Sequence, residues 1–347
     1  MGNGSKVVTF GEIMMRLSPP GHQRLIQARA FDVTFGGGEA NVAASLAGFG
    51  AKAEFVTRLP VNELGDACLA FLRSHNIQTT HILRGGDRLG IYCLEVGAAQ
   101  RGSKVVYDRT GSGFATIQTG MVDWHTVLDG ADWFHWTGIT PAVSQNAAAA
   151  CLEALQVARQ RGAAVSCDLN YRKNLWQWGK TAGEVMPELV AQCDVVIGNE
   201  EDAEKVFGIR AHDADVTAGQ LTAESYRSVA ADLSRRFPHL RTVAITLRRS
   251  HSASHNTWSA VLLHGEQWYE APQYEILPVV DRVGSGDAFA AGLIYGLRQR
   301  PEQPHYALRF ATAASCLKHS VPGDFNAVTL GEVERLMAGD ASGRVAR

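Results

Sequence analysis

Val280-Asp281-Arg282-Val283-Gly284-Ser285-Gly286-Asp287-Ala288-Phe289 joins two kinds of secondary structure. The apolar run ending at Val280 reads as a buried strand. Gly284-Ser285-Gly286 then turns the chain into a helix predicted to reach about Leu297. The first amides of a helix have no partners inside it, and the positive end of the helix dipole lies behind them. Glycines let that backbone approach a bulky anion closely. The pattern is that of a phosphate cradle. Asp287 adds a carboxylate beside it, placed to take a proton from a hydroxyl that attacks a bound phosphate. An acidic residue in a first helical turn is stabilising anywhere, so the stretch alone leaves both readings open.

A second glycine cluster lies near the other end of the chain: Phe35-Gly36-Gly37-Gly38-Glu39-Ala40-Asn41-Val42-Ala43, continuing through Leu46 and Gly50. It has no Walker lysine and so is not a P-loop. It also lacks the Gly-x-Gly-x-x-Gly spacing of a dinucleotide fold. By itself it is a tight turn ahead of an ordinary helix cap. Taken together and in this order, the two segments resemble the N-terminal and C-terminal signatures of the ribokinase-like (PfkB) carbohydrate kinases. That resemblance covers nearly all the chain. It implies an α/β fold, a ribokinase-like three-layer sandwich with a mostly parallel central sheet and a small β-rich lid. It also implies that Gly36, Gly37 and Asn41 meet sugar hydroxyls, that Asp287 is the base, and that the amides of Gly284, Ser285 and Gly286 hold charge on the phosphoryl group.

At 347 residues the chain has room for one large α/β domain or two small ones, with a substantial core. The resemblance implies a single domain over 1–347, with the lid at about 14–35 and 86–113. A formal charge of -2 provides no basic field for nucleic acid and no polybasic membrane anchor. The six cysteines are scattered, with no Cys-x-x-Cys pair, which fits a reducing cytoplasm better than a disulfide framework. Lys6 stands where myristoylation needs Ser or Thr. No apolar run reaches transmembrane length and no signal peptide is visible, so the expected location is cytoplasmic.

Along the chain, Val7 to Leu17 reads as a strand, Phe31 to Phe35 as extended and Gly38 to Phe49 as a helix. A strand follows at Glu54 to Leu59 and a helix at Gly65 to Asn76. Ile91 to Val96 and Lys104 to Arg109 alternate like short strands with glycine turns between them, the texture of a β-rich insert. Beyond Gly130, strands at Trp133 to Trp136, Ala164 to Leu169, Asp194 to Ile197 and Thr242 to Leu247 alternate with helices at Ser144 to Arg161, Glu200 to Phe207 and Tyr226 to Phe237. Helices at Tyr306 to His319 and Gly331 to Met337 close the pattern. Such alternation predicts a parallel sheet covered on both faces, with ligands beyond the carboxyl ends of its strands.

Arginines then narrow the ligand. Tyr107 and Arg109 are two apart on a predicted strand and share a face. Arg172 follows the strand that ends in Asp168-Leu169-Asn170, at the expected mouth of the cleft. Each could be an ordinary surface pair or salt bridge. Together they supply forks that hold carboxylates bidentately. Arg16 adds a third cation, where ribokinase carries an aspartate. The fuller resemblance is to the 2-keto-3-deoxygluconate kinases, through Gly138-Ile139-Thr140-Pro141-Ala142-Val143-Ser144, Asp168 to Arg172 with Leu175-Trp176, and Tyr107-x-Arg109 with Gly111-Ser112. It implies a sugar-acid site formed by Arg16, Gly36, Gly37, Asn41, Tyr92, Tyr107, Arg109, Ile139, Asn170 and Arg172. Fructokinases share the Asp-x-Asn-x-Arg run.

For the nucleotide, the resemblance implies Asn199, Thr246, Arg248, Gly284, Gly286, Ser315 and Lys318. Asn199-Glu200-Glu201-Asp202 stands in place of the family's Asn-x-x-Glu motif, with Asp202 reaching Mg²⁺ through water or Glu201 taking part. Asp281 and the Gly323-to-Asn326 loop occupy positions that bind K⁺ in some relatives, which makes K⁺ a candidate. His251 and His255 do not form a metal site by their spacing. The expected reaction is transfer of the ATP γ-phosphoryl to O6 of 2-keto-3-deoxygluconate, with Mg²⁺, in a homodimer joined through the exposed edges of its lids. A fructokinase or other neutral-sugar kinase is the alternative, and a non-catalytic nucleotide-binding regulator is the alternative of another class.

Overall fold

The computed structural model describes residues 5–199, 201–210 and 223–340. Glu200 and the tail from 341 onward therefore lie outside the described residues. Strands are numbered in chain order. The central sheet runs β14 (Gln267–Glu270), β13 (His255–His264), β12 (Thr242–Ser252), β11 (Val195–Asn199), β10 (Ala164–Asp168), β9 (Ala131–Thr137), β1 (Lys6–Phe10) and β4 (Ala53–Val56), with β15 (Tyr274–Ile276) also paired to β13. From β4 to β12 every pairing is parallel, and β13, β14 and β15 add an antiparallel edge. A second sheet, the lid, runs β3 (Asp32–Gly36), β2 (Met14–Ser18), β7 (Ile91–Glu95) and β8 (Lys104–Asp108). Arg58–Leu59 and Leu83–Arg84 (β5 and β6) form a two-stranded pair.

The strands of the central sheet are buried on both faces, so alternate residues feed two cores. Val7, Val195, Ile197 and Ala244 pack into one, together with the helices Gly38–Gly48, Ser285–Gln299 and Pro304–Lys318. Val8, Val196, Val243 and Ile245 pack into the other, together with Gln145–Gln160 and Ala182–Val190. Closely packed helices need small residues where their axes meet: a Cβ on Gly292 or Gly296 would lie 2.7 and 2.5 Å from the Ala311 and Ala307 Cα atoms. Glu39, in the first turn of Gly38–Gly48, is wholly buried yet satisfied. It accepts bonds from the Thr137 amide (3.0 Å), the Thr137 hydroxyl (2.8 Å) and the Thr140 hydroxyl (2.7 Å). Burial nonetheless pushes its pKa up to about 7.

Two expectations are corrected. Val7 to Leu17 is not one strand, because the chain leaves the central sheet at Phe10 and re-enters as lid strand β2 at Met14. The run ending at Val280 is not a buried strand either: Leu277 is 67 % and Val280 43 % exposed, and the pairing stops at Ile276. The antiparallel edge and the helix Ala182–Val190 were not anticipated. No helix among the described residues is long and apolar enough to cross a membrane.

Candidate active site

A cavity of about 370 Å³ opens at the carboxyl ends of β10, β11 and β12, under the lid. It is lined by Gly36, Gly37, Asn41, Tyr92, Tyr107, Ile139, Asn170, Arg172, Asn199, Asp202, Thr246, Arg248, Gly284, Ser285, Gly286 and Asp287 among others. Sixteen residues expected at the site thus line one cleft. Met14, Val105, Trp258 and Arg282 line it too without having been expected there, as do Asp168, quoted only within its motif, and Asp324, noted only within the Gly323-to-Asn326 loop.

Its chemical centre is the start of the helix Ser285–Gln299. Gly284 caps this helix at φ +82°, a left-handed conformation suited to glycine, and no side chain covers the amides that follow. Asp287 sits in the first turn, and its Oδ2 accepts a 2.6 Å bond from the Asn41 amide, whose Oδ1 in turn accepts from the Gly37 amide. Burial raises the Asp287 carboxyl to about 6, against the opposing pull of Asn41. It is therefore ionised at neutral pH while being a stronger base than an exposed aspartate.

Both glycine segments close on Asp324. A Cβ on Gly36 would lie 2.0 Å from Asp324 Oδ2, and one on Gly284 would lie 2.0 Å from the Asp324 carbonyl oxygen. Tyr92, from the lid, donates its hydroxyl to Asp324 Oδ2 at 2.5 Å.

Arg172 lines the cavity, is exposed and makes no ion pair among the described residues; its guanidinium donates to the Tyr171 carbonyl. Asn170 beside it holds φ +39°, an uncommon conformation of the kind that clusters at functional sites. The other two arginines are corrected. Arg16 does not face the cavity: it is 4 % exposed and pairs with Asp281 (2.6 Å) and Asp324 (2.8 Å). Burial alone would lower its pKa, and the two carboxylates more than offset that. Arg109 lies beyond the end of β8, where it turns under the lid to pair with Glu12, which Ser112 also contacts. Tyr107 stays in the cleft.

At the end of the cavity expected to take the nucleotide, Arg248 and Arg282 face the cavity with no carboxylate partner among the described residues. Three corrections apply here. Ser315 lies behind the glycine loop, donating to the Ser285 carbonyl at 2.7 Å. Lys318 is fully buried and donates to the Val321 carbonyl at 3.0 Å, with burial pushing its pKa down. Asp281 gives its oxygens to Arg16 and to the amides of Val283 and Gly323, so the candidate K⁺ ligand is already satisfied.

The carboxylates of Asp168, Asp202 and Asp287 share the cavity wall, and burial, then Asp202 and Asp287, push Asp168 well above its usual range. Crowded oxygen donors of one sign fit a hard dication such as Mg²⁺. Both Asp202 oxygens already accept backbone bonds, from Tyr171 (3.2 Å) and Asn199 (2.9 Å), which suits contact through water.

The profile described as "pfkB family carbohydrate kinase" matches residues 5–329. The 2-dehydro-3-deoxygalactonokinase of Haloferax volcanii is 32% identical over 339 residues, covering 98% of each chain. The 2-dehydro-3-deoxygluconokinase of Thermoproteus tenax is 27% identical, covering 93% of this chain and 90% of its own. The crystal structure of 2-dehydro-3-deoxygluconokinase from Thermotoga maritima superposes with a TM-score of 0.91 at 48% identity, covering 96% of this chain and 100% of that one.

Proposed function

The chain belongs to the pfkB family of carbohydrate kinases, and we propose that the alcohol it phosphorylates is O6 of 2-keto-3-deoxygluconate (2-dehydro-3-deoxygluconate), with ATP as donor. The observation that carries the substrate class is Arg172, an exposed guanidinium that lines the cleft and makes no salt bridge among the described residues. A permanently charged fork there suits a carboxylate better than the hydroxyls of a neutral sugar. With Arg16 and Arg109 committed elsewhere, this one cation bears most of the discrimination.

In this reading the sugar lies between Gly36–Gly38, Tyr107, Ile139 and Arg172. Its reacting hydroxyl meets Asp287, which takes the proton, while Asn41 holds the carboxylate in one orientation. The amides from Gly284 to Asp287 meet the charge that develops on the transferring phosphoryl group. Arg248, Arg282, Asn199 and Thr246 hold the nucleotide. Mg²⁺, held at Asp168 and, through water, at Asp202, would neutralise charge on the phosphates. Asp281 stays outside this scheme as the partner of Arg16, and K⁺ is not invoked.

The reading also includes a homodimer formed lid to lid. Val33, Val106 and Phe31 are between 42 % and 58 % exposed on or beside the lid strands, an apolar surface on the lid face away from the cavity. A second copy of the same face is the occupant that fits it. Sedimentation of wild type and Val106→Lys checks this, with a monomeric wild type as the contrary result.

The substrate is tested by kcat/KM for 2-keto-3-deoxygluconate, its galactonate epimer and fructose at saturating Mg-ATP. Loss of one charge-assisted contact of roughly 3 kcal/mol corresponds to about a hundredfold preference for the acids. Comparable values for acid and fructose would replace the sugar acid with a neutral sugar. The epimer is included because the Haloferax relative carries the galactonate name.

A further inference from the structure

The β12–β13 hairpin leaves the central sheet near the nucleotide end of the cleft, where Arg248 lines the cavity. At its tip the register shifts: Ser250 pairs with Asn256 and Ser252 with His255, so His251 is the extra residue of a bulge. A bulge re-aims a side chain that would otherwise alternate away from its neighbour. The consequence here is that the His251 and His255 rings stack, with centroids 4.4 Å apart and planes 26° from parallel. On the other side of β13, β15 pairs in register with Thr257 opposite Glu275. That places the Glu275 carboxylate against the His255 ring, with Nε2 of His255 in contact with Oε1 of Glu275.

One donor atom from each of His251, His255 and Glu275 lies within 4.8 Å of the other two. It is the one such His/Cys/Asp/Glu group among the described residues. The three come from three strands fixed by backbone ladders, so the cluster is held by the sheet. The sequence hid it because the third donor arrives 20 residues after the second, on a strand that spacing did not reveal.

We propose that His251, His255 and Glu275 form a binding site for a late first-row divalent cation, Zn²⁺ or its neighbours Co²⁺, Ni²⁺ and Cu²⁺. Two imidazoles and one carboxylate are a borderline nitrogen and oxygen set, which those ions accept and Mg²⁺ does not favour. Ligand atoms around a four-coordinate zinc stand roughly 3.3 Å apart for bond lengths near 2 Å, so the contact between His255 and Glu275 needs to open slightly and the His251 donor to settle at that spacing. His251 and Glu275 are exposed and can make that adjustment by rotation, whereas His255, half-buried, anchors the group. His251 Nε2 already has a fixed partner, the Thr257 hydroxyl at 2.7 Å, which leaves Nδ1 as its metal-facing nitrogen. The fourth position faces solvent and would take water or an anion. Arg282, which reaches Ser250 at 3.4 Å, brings positive charge close by. That charge opposes a cation and weakens the site. The bound ion would clamp the hairpin tip to β15 and so stiffen the segment that leads from Arg248 into the strand Tyr274–Ile276.

The site stands apart from the substrate reading and is tested without turnover. Zn²⁺ alone is titrated calorimetrically into the chelator-treated full chain. One equivalent with Kd of about 1–50 μM is expected. His251→Ala and His255→Ala should each weaken it at least about tenfold, and Glu275→Gln by a smaller factor. Co²⁺ should give a visible absorption band in wild type that is absent from the double variant His251→Ala/His255→Ala. Melting curves in chelator establish that each variant is folded, and Zn²⁺ should raise the melting temperature of wild type alone. Absence of binding tighter than about 100 μM, or an equivalent of Zn²⁺ retained by the folded double variant, would overturn the assignment.

Discussion

Arg16 and Asp281 form an ion pair of 2.6 Å in which each side chain is 5% exposed. One belongs to lid strand β2 and the other opens the glycine loop, so the pair ties the cover of the cleft to that loop. Asp324, at 2.8 Å, makes the pair a triad. Removing the cation leaves two buried carboxylates without their ion-pair partner. Arg16→Met should therefore cost about 3–5 kcal/mol of stability, whereas Arg16→Lys retains the charge and should cost less. Urea unfolding of the three proteins measures this, and equal stability of Arg16→Met and wild type would show that the triad contributes nothing net.

Asp287→Asn keeps the shape of the side chain and removes the proposed base. It should lower kcat by at least about a thousandfold and leave ATP affinity nearly unchanged. In wild type the carboxyl lies at about 6. The base works only when ionised, so kcat/KM should level off above that pH and fall about tenfold per unit below it. An acid limb near 4 would mean that burial does not shift the working group.

Arg172→Lys keeps a charge and loses the fork. KM for the sugar acid should rise by roughly 10- to 100-fold, the equivalent of 1.5–3 kcal/mol, with KM for ATP little changed. The opposite split would move Arg172 to the phosphates.

Glu39 gives a pH signature in stability. Its folded carboxyl sits at about 7 against an ordinary 4.5. The folded state therefore holds a proton that the unfolded chain releases over that interval. This contribution is complete below 4.5 and is lost as the pH climbs through 7. Relative to wild type, Glu39→Gln should gain on the order of 3 kcal/mol between pH 4.5 and 8. Parallel stability curves for the two proteins would show that Glu39 keeps an unshifted carboxyl.

The regular part of the fold was legible because its strands and helices obey simple periods. Val7 and Val8 feed opposite cores as alternation requires, and Ser144 caps its helix through the Ala147 amide as its type predicts. What the sequence hid are relationships set by distant partners. Arg16 and Arg109 are cations in a list of residues, but only the folded chain brings Asp281, Asp324 and Glu12 to them. Ser315 and Lys318 lie on a helix near the loop, and which way they face depends on how that helix packs. Asp324 entered the sequence reading only as part of the Gly323-to-Asn326 loop, and its role as the residue on which both glycine segments close appears only in the folded chain.

That closure bears on how the chain can be recombined. Gly36 belongs to the first eighth of the sequence, while Gly284 and Asp324 belong to its last quarter. The absence of a side chain at either glycine is what lets Asp324 occupy its place. The three positions form a lock whose parts are encoded far apart. A chimera that exchanges the N-terminal third with a relative, or grafts a foreign loop at 281–287, would inherit one face of the lock without the other. Hybrids of this scaffold should therefore be joined so that residues 36, 284 and 324 come from the same parent, and libraries that vary them singly should be depleted of active members.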